Sequence, residues 1–257
     1  MVTPLDFNEA TNSYTLNNRR NFDSEFGIID QNHVKNSFNF AYEMAFGGGH
    51  HRSKKFGGGT ARKPGQIFSN AFQGKLAEFA FYDFLHSDNF PIPEPDTTIL
   101  GQGEWDEADF LIREAQISVK STKHYAHLIM LETSMWSENG EFTPDNGRRV
   151  TRPYDFFVLV RLNVDIERIL KSKSYLYSKE IPKEELYACF SFDSQNQLRY
   201  DIPGYATLNM VREAIGAEQL ISAGSMIGSS TIEVDNYYIQ SGDLLDIQEF
   251  QERINAI

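Results

Sequence analysis

The segment Asp109–Thr122, DFLIREAQISVKST, contains two short strand-like runs, Asp109–Ile112 and Gln116–Ser121, with three residues between them. Short apolar runs joined by so few residues are typical of a β-hairpin. We therefore predict two adjacent antiparallel strands here.

The second run of this hairpin has two chemically different faces. Because successive side chains of a strand point to opposite faces, Ile117 and Val119 share one face. The other face carries Gln116, Ser118, Lys120 and Thr122. A lysine in a short apolar strand is costly unless it meets an anion, and the hairpin brings Asp109 beside it.

Apolar segments flank the hairpin on both sides. Gln66–Leu85 predicts a helix whose second half is apolar except for Glu78 and Asp83, and Tyr154–Leu162 predicts a buried strand of the same sheet. We expect an α/β fold with a central mixed β-sheet flanked by helices.

The remaining pattern predicts a single domain over residues 1–257. Its core covers about 66–162, with a basic glycine-rich loop at 44–65 and a C-terminal part at 163–257. Further predicted elements are helices at Asp30–Phe46, Val164–Lys171, Ala206–Ile215 and Asp243–Ile257, a strand at Leu186–Phe192 and an extended segment at Thr231–Ile239.

An aspartate and a lysine that converge on one face suit a hydrolytic magnesium site. Carboxylate oxygens hold this hard cation, which lowers the pKa of bound water and offsets charge on a phosphoryl group. The lysine can orient the water or stabilise the transition state electrostatically.

In these residues the chain resembles the PD-(D/E)xK nuclease superfamily, which includes most type II restriction endonucleases. The resemblance covers about Gln66 to Leu162 and includes the Asp109 hairpin, Lys120-Ser121 and the helix residue Glu78. It implies a restriction-endonuclease-like core. It also implies Asp109, Lys120, Glu78 and Ser118 in the active site, with Asp109 and Glu78 holding Mg²⁺.

The chain departs from the family pattern at Ser118, where the second acid should precede the lysine by two residues. Glu78 and Glu132 are the candidate replacements, and the helix position of the family motif favours Glu78. Gln116 offers a further neutral oxygen. The chain also contains a Pro-Asp pair, Pro95-Asp96, which matches the first part of the family motif. Asp109 is preferred as the motif aspartate because it adjoins the hairpin. Because Ser118 replaces the second acid, an inactive nuclease is a further alternative.

Positive charge is concentrated in two loops of an otherwise acidic chain. Met44–Ala77 contains no acidic residue and carries +6, although the net charge is −12. Glycine triplets at 47–49 and 57–59 flank the cluster of cations. We expect them to let the backbone adapt to DNA, so that the lysine and arginine side chains contact phosphates. The predicted DNA-binding residues are Arg52, Lys54, Lys55, Arg62 and Lys63 in this loop, and Arg148 and Arg149 in a second basic loop at 147–153, which also contains Arg152. A solvated loop without a role is the alternative.

Composition excludes several other classes of protein. An acidic total excludes a histone-like coating protein, and the single cysteine, Cys189, excludes an intrachain disulfide or a cysteine-rich zinc site. No run approaches a membrane span and the first residues lack a signal-peptide pattern, so we expect a cytoplasmic protein.

The resemblance implies a sequence-specific type II restriction endonuclease. Such an enzyme hydrolyses phosphodiester bonds of double-stranded DNA with Mg²⁺, and it acts as a homodimer because each site cuts one strand. The alternatives are a non-catalytic DNA-binding protein with a degenerate nuclease fold, a repair or junction nuclease, and an unrelated hydrolase.

Overall fold

The computed structural model of the protein describes residues 2–47, 62–99, 108–143, 152–190 and 197–257. In these ranges the elements are β1 (Asp6–Asn8), β2 (Ser13–Thr15), β3 (Gly27–Ile28), α1 (Gln31–Phe46), α2 (Pro64–Ser87), β4 (Phe110–Ile112), β5 (Ala115–Lys123), β6 (Leu128–Glu132), β7 (Phe156–Leu162), α3 (Ile166–Ser172), α4 (Lys183–Ala188), β8 (Arg199–Thr207), α5 (Leu208–Gly216), β9 (Leu220–Ile221), β10 (Met226–Ile227), β11 (Ser230–Thr231), β12 (Asn236–Gln240) and α6 (Phe250–Asn255).

The central sheet is mixed and has five strands in the order β3-β8-β7-β5-β4. The predicted hairpin is confirmed: β4 and β5 are antiparallel, with Phe110 opposite Ile117 and Ile112 opposite Ala115. The predicted strand after it, β7, lies parallel to β5 in the same sheet. The α/β class with a mixed sheet and helices is therefore confirmed.

Smaller sheets accompany the central one. Strands β6, β12 and β9 form an antiparallel three-stranded sheet, and β1, β2, β10 and β11 form a four-stranded sheet of very short strands. In the described part of the chain, no helix is both long and apolar enough to span a bilayer.

The two faces of the central sheet are covered by different elements. Ile117 and Val119 pack into the larger hydrophobic cluster, to which α1 and α2 contribute. Gln73 of α2 donates to the carbonyl oxygen of Ser121 at 3.3 Å, so α2 covers this face. The opposite face carries Phe157 and Leu159, which pack with residues of β6, β12 and α5.

Helix α2 is apolar nearly all around because it is enclosed on several sides. It spans two residues more at each end than the sequence pattern predicts. Pro64 occupies its first turn, where a missing N–H costs nothing. Its buried side chains include Phe68, Phe72 and Phe81, which contact α1, the loop after α4 and strand β4.

Three sequence predictions in the C-terminal part need correction. Over the described residues, the strand predicted at Leu186–Phe192 is wrong, because Lys183–Ala188 forms the short helix α4 directly after Pro182. In the helix predicted at Ala206–Ile215, Ala206 and Thr207 instead end β8, and the Thr207 hydroxyl caps α5 by accepting from the N–H of Met210 at 3.4 Å. Within Asp243–Ile257, only the short stretches 247–249 and 250–255 are helical.

Candidate active site

The carboxylate of Asp109 is fixed to the neighbouring strand. Continuing the β4–β5 register by one residue places Asp109 opposite Ser118. Its Oδ2 accepts a hydrogen bond from the backbone N–H of Val119 at 2.6 Å and one from the Ser118 hydroxyl at 3.3 Å. Among the described residues none donates a hydrogen bond to Oδ1.

Lys120 lies on the same face of β5 as Ser118, one residue beyond the N–H that binds Asp109. Part of the residue stays accessible to solvent. The protein packed around its ammonium nevertheless lowers the pKa of Lys120, and the negative charge of Asp109 offsets part of this effect. No carboxylate of the described ranges lies within ion-pair distance of this ammonium.

A cluster of aromatic side chains lies beside Lys120. The Lys120 ammonium lies 5.7 Å from the centroid of the Trp136 ring. Trp136 is buried and packs against Phe142 and Phe157, each at a centroid distance of 5.4 Å, and against Tyr154 at 6.1 Å. Nothing in the sequence pattern around position 136 predicts this contact.

Gln116 adds a buried acceptor to this face. The residue is only 5% exposed, and its side-chain Oε1 has no hydrogen-bond partner in the described parts of the protein. The backbone N–H of Gln116 donates a hydrogen bond to the Asp155 carboxylate at 2.8 Å. Buried polar atoms normally have hydrogen-bond partners, and a bound water or ion is one way in which such an oxygen is satisfied.

Glu78 lies on α2, which covers the opposite face of the sheet. Its Oε2 forms an ion pair with Lys75 at 2.5 Å. Lys75 also donates to the backbone oxygen of Asp96 at 2.7 Å and lies 4.7 Å from the centroid of the Phe40 ring. Metal ligation by Glu78 stays a prediction.

The two other candidate acids have local partners. Hydrogen bonds from Thr98 lower the pKa of Asp96, with a smaller effect of the Lys75 charge. Glu132 ends β6 in a different sheet and accepts from the Ser134 hydroxyl at 2.9 Å. Within the described ranges no three His, Cys, Asp or Glu side chains form a group able to hold a metal ion.

Most of the predicted DNA-binding residues, namely Arg52, Lys54, Lys55, Arg148 and Arg149, lie outside the described residues. Arg62 lines a polar pocket of about 240 Å³ with Gln66 and Glu167, and Lys63 is exposed at the start of α2. Arg152 lies 3.5 Å from Asp155 and 3.7 Å from Glu114.

Comparisons with known proteins leave this site to be interpreted from its own geometry. No protein-family model matches the chain, and no curated protein or solved structure matches it.

Proposed function

We propose that the protein is a Mg²⁺-dependent nuclease that cleaves double-stranded DNA at specific sequences, as type II restriction endonucleases do. The observation that carries the proposal is the convergence of Asp109 and Lys120 on one face of the β4–β5 hairpin. A carboxylate that can hold Mg²⁺ and a lysine ammonium on the same face can both stabilise the charge that develops during phosphodiester hydrolysis.

The side chains on this face fit a magnesium ion. Asp109 offers a carboxylate, Ser118 a hydroxyl and Gln116 an amide oxygen, all of them hard donors. Mg²⁺ is commonly held by one or two carboxylates, with waters and substrate phosphates completing the shell. The ion would supply a more acidic bound water and a positive charge beside the phosphate. The family resemblance implies Glu78 as the second acid, whereas its helix α2 packs on the other face of the sheet and its carboxylate is paired with Lys75.

Lys120 supplies the other positive charge. Its ammonium lies near Asp109 in a partly buried place, where an electrostatic interaction with a phosphate is stronger than in water. Its proposed role is to orient the attacking water and to stabilise charge that develops on the phosphoryl oxygens. The basic loops that begin or end near Lys63 and Arg152 are proposed to hold the DNA backbone.

Plasmid digestion with Mg²⁺ tests the proposal. Discrete bands indicate sequence-specific cleavage, a smear indicates a nonspecific or structure-specific nuclease, and uncut DNA contradicts nuclease activity. Lys120→Met should reduce cleavage about 100-fold or more, because a transition-state charge is removed. Lys171→Met, which removes an exposed lysine paired with Glu167, is the matched control.

The second candidate is a DNA-binding protein that has lost catalysis. Ser118 in place of an acid and the ion pair of Glu78 with Lys75 favour it. This candidate requires DNA binding that is insensitive to Mg²⁺ and to the Lys120→Met change, without cleavage.

We also propose that two copies of the chain act together. One such site cuts one strand, so a double-strand break at a palindrome needs two sites related by a two-fold axis. Sedimentation on DNA should give two protein chains per duplex, and one chain per duplex would contradict this part of the proposal.

A further inference from the structure

A buried arginine holds the segment between β2 and β3 against the central sheet. Residues 20–23 of this segment, here called the N-terminal strap, belong to no strand or helix. Arg161 of β7 donates to two backbone oxygens of the strap, at 2.8 Å and 2.9 Å. It also forms a two-pronged ion pair with Asp201, which lies opposite it on β8. Asp201 in turn accepts from the backbone N–H of Asp23 at 2.9 Å. One buried ion pair therefore anchors the strap.

His127 completes the hydrogen bonds of this arginine. The half-buried ring lies in the turn between β5 and β6, and its Nδ1 is 3.1 Å from Nη1 of Arg161. Because a guanidinium can only donate, Nδ1 must be the unprotonated nitrogen of a neutral imidazole. With this contact each of the five guanidinium N–H groups has an acceptor. The arrangement thus requires His127 to be neutral.

A proton on His127 conflicts with this arrangement. It removes the Nδ1 acceptor and places a second positive charge beside the guanidinium. Burial is the main cause that lowers the pKa of His127, followed by the charges of Arg161 and of Arg19, next to the strap. A hydrogen bond to the backbone of Arg20 and the charge of Asp201 act in the opposite direction. From the end of β12, Ser241 contacts the His127 backbone and carries no charge.

We propose that His127 is a pH-sensitive switch of the N-terminal strap: a proton on its ring loosens residues 20–23 from Arg161 while the central sheet stays folded. The inference does not depend on the proposed nuclease function. Opening stays local because Arg161 and Asp201 face each other across β7 and β8, so each keeps a charged partner when the strap leaves. The Arg20 side chain, which donates to the carbonyl oxygens of Pro203 and Leu244, is a second anchor that does not titrate.

The sign of the pH effect follows from the two states of the strap. In the open state the ring reaches water and binds a proton with its ordinary pKa of 6.5, whereas the closed state lowers this pKa. The open state therefore binds more protons between the two values. The contribution of neutral His127 to strap closure is fully present above pH 6.5 and is lost as the pH falls through the lowered pKa.

Hydrogen exchange in the full-length protein tests the proposal. The backbone N–H groups of Arg20 and Asp23 donate to Ser241 and Asp201, so they report on the strap, and the amides of β7 report on the sheet. Between about pH 7.5 and 5.5, the protection factors of the two strap amides should fall about fivefold or more. Low urea should hardly change strap exchange, because local opening exposes little surface, but should accelerate exchange in β7.

Two histidine variants assign the response. His127→Asn keeps an oxygen acceptor for the guanidinium but takes up no proton, so its strap amides should keep a constant protection factor over this pH range. His86→Asn removes an exposed histidine and should retain the wild-type response. The wild-type pH series tests the proposal even if His127→Asn does not fold. Strap protection that is independent of pH in the wild-type protein, an equal response in His127→Asn, or strap amides with the same urea dependence as β7 overturns the inference.

Discussion

Oδ2 of Asp109 accepts a hydrogen bond from the backbone N–H of Val119 at 2.6 Å, so the acid is tied to the strand that carries Lys120. Asp109 thus combines a structural role and a proposed catalytic one. The structural role needs only an acceptor oxygen, whereas the catalytic role needs the negative charge. Substitutions that separate these two properties decide between the roles.

Asp109→Asn keeps an acceptor oxygen for the Val119 N–H but removes the charge. We expect cleavage to fall about 100-fold or more, with DNA binding retained and little change in the free energy of unfolding. Asp109→Ala should also lose about 1–3 kcal/mol of stability, because the N–H loses a charged acceptor. Plasmid digestion and urea unfolding measure the two effects, with the exposed Asp6→Asn as control. Undiminished cutting by Asp109→Asn would contradict the assignment.

Ser118→Asp restores an acid two residues before Lys120. Ser118 is 3% exposed and its hydroxyl contacts Asp109, so a second carboxylate there meets a like charge. We expect this variant to unfold at a lower temperature than Ser118→Ala in EDTA, because adjacent carboxylates repel. Mg²⁺ should raise its midpoint more than that of Ser118→Ala, since a ligand of the folded state stabilises it. An equal Mg²⁺ effect on the two variants would contradict a metal site here.

Much of this candidate site could be predicted from the sequence, because strand alternation fixes which residues share a face. Because side chains alternate along a strand, Ser118 and Lys120 are expected on the same face. The short turn fixes the register that brings Asp109 opposite Ser118. The turn is tight enough that Arg113 adopts a φ of 55°, which is uncommon for a non-glycine residue.

Trp136 could not be predicted in the same way. Its contact with Lys120 depends on the path of the chain through β6, which belongs to a different sheet. No sequence period links positions 120 and 136. The sequence pattern does not predict strand β8, because Pro203 and Gly204 lie within it and both residue types are unusual inside strands.

Glu78 and Glu132 are distinguished by comparing Glu78→Gln with Glu132→Gln. We expect the larger loss of cleavage from Glu78→Gln, in keeping with the helix position of the family motif. Lys75→Met is the matched control, because it breaks the same ion pair and leaves the Glu78 carboxylate in place. If Lys75→Met reduces cleavage as much as Glu78→Gln, the pair is structural and Glu78 is not the replacement acid. Initial rates of plasmid cleavage at saturating Mg²⁺ provide the measurement.

From the surroundings of His127 we expect the folded protein to lose stability in mild acid. Burial and the charge of Arg161 lower the pKa of His127 from 6.5. Its Nδ1 lies 3.1 Å from a guanidinium nitrogen of Arg161, which is itself buried against Asp201. Between the folded-state pKa and 6.5, the unfolded chain binds more protons than the folded protein. The stability that His127 contributes is therefore present above pH 6.5 and lost as the pH falls through the folded-state pKa.

Urea unfolding at several pH values between 7 and 5 measures this effect. His127→Asn should reduce the fall in the free energy of unfolding, because the variant has no imidazole to protonate. The exposed His86→Asn should retain the wild-type slope. Equal slopes for wild type and His127→Asn would contradict the assignment of this acid sensitivity to His127.

The basic glycine-rich loop should contribute to DNA affinity through phosphate contacts. We expect the triple substitution Lys54, Lys55, Lys63→Ala to weaken binding. Each lost phosphate contact should also make the dependence of log K on log salt shallower by about 0.9. Phosphate contacts carry little sequence information, so cognate and noncognate duplexes should lose similar affinity. The triple change Lys171, Lys173, Lys179→Ala removes the same charge from exposed positions elsewhere and should leave the slope unchanged. Equal slopes for the loop variant and the wild-type protein would leave the loop without a role in DNA binding.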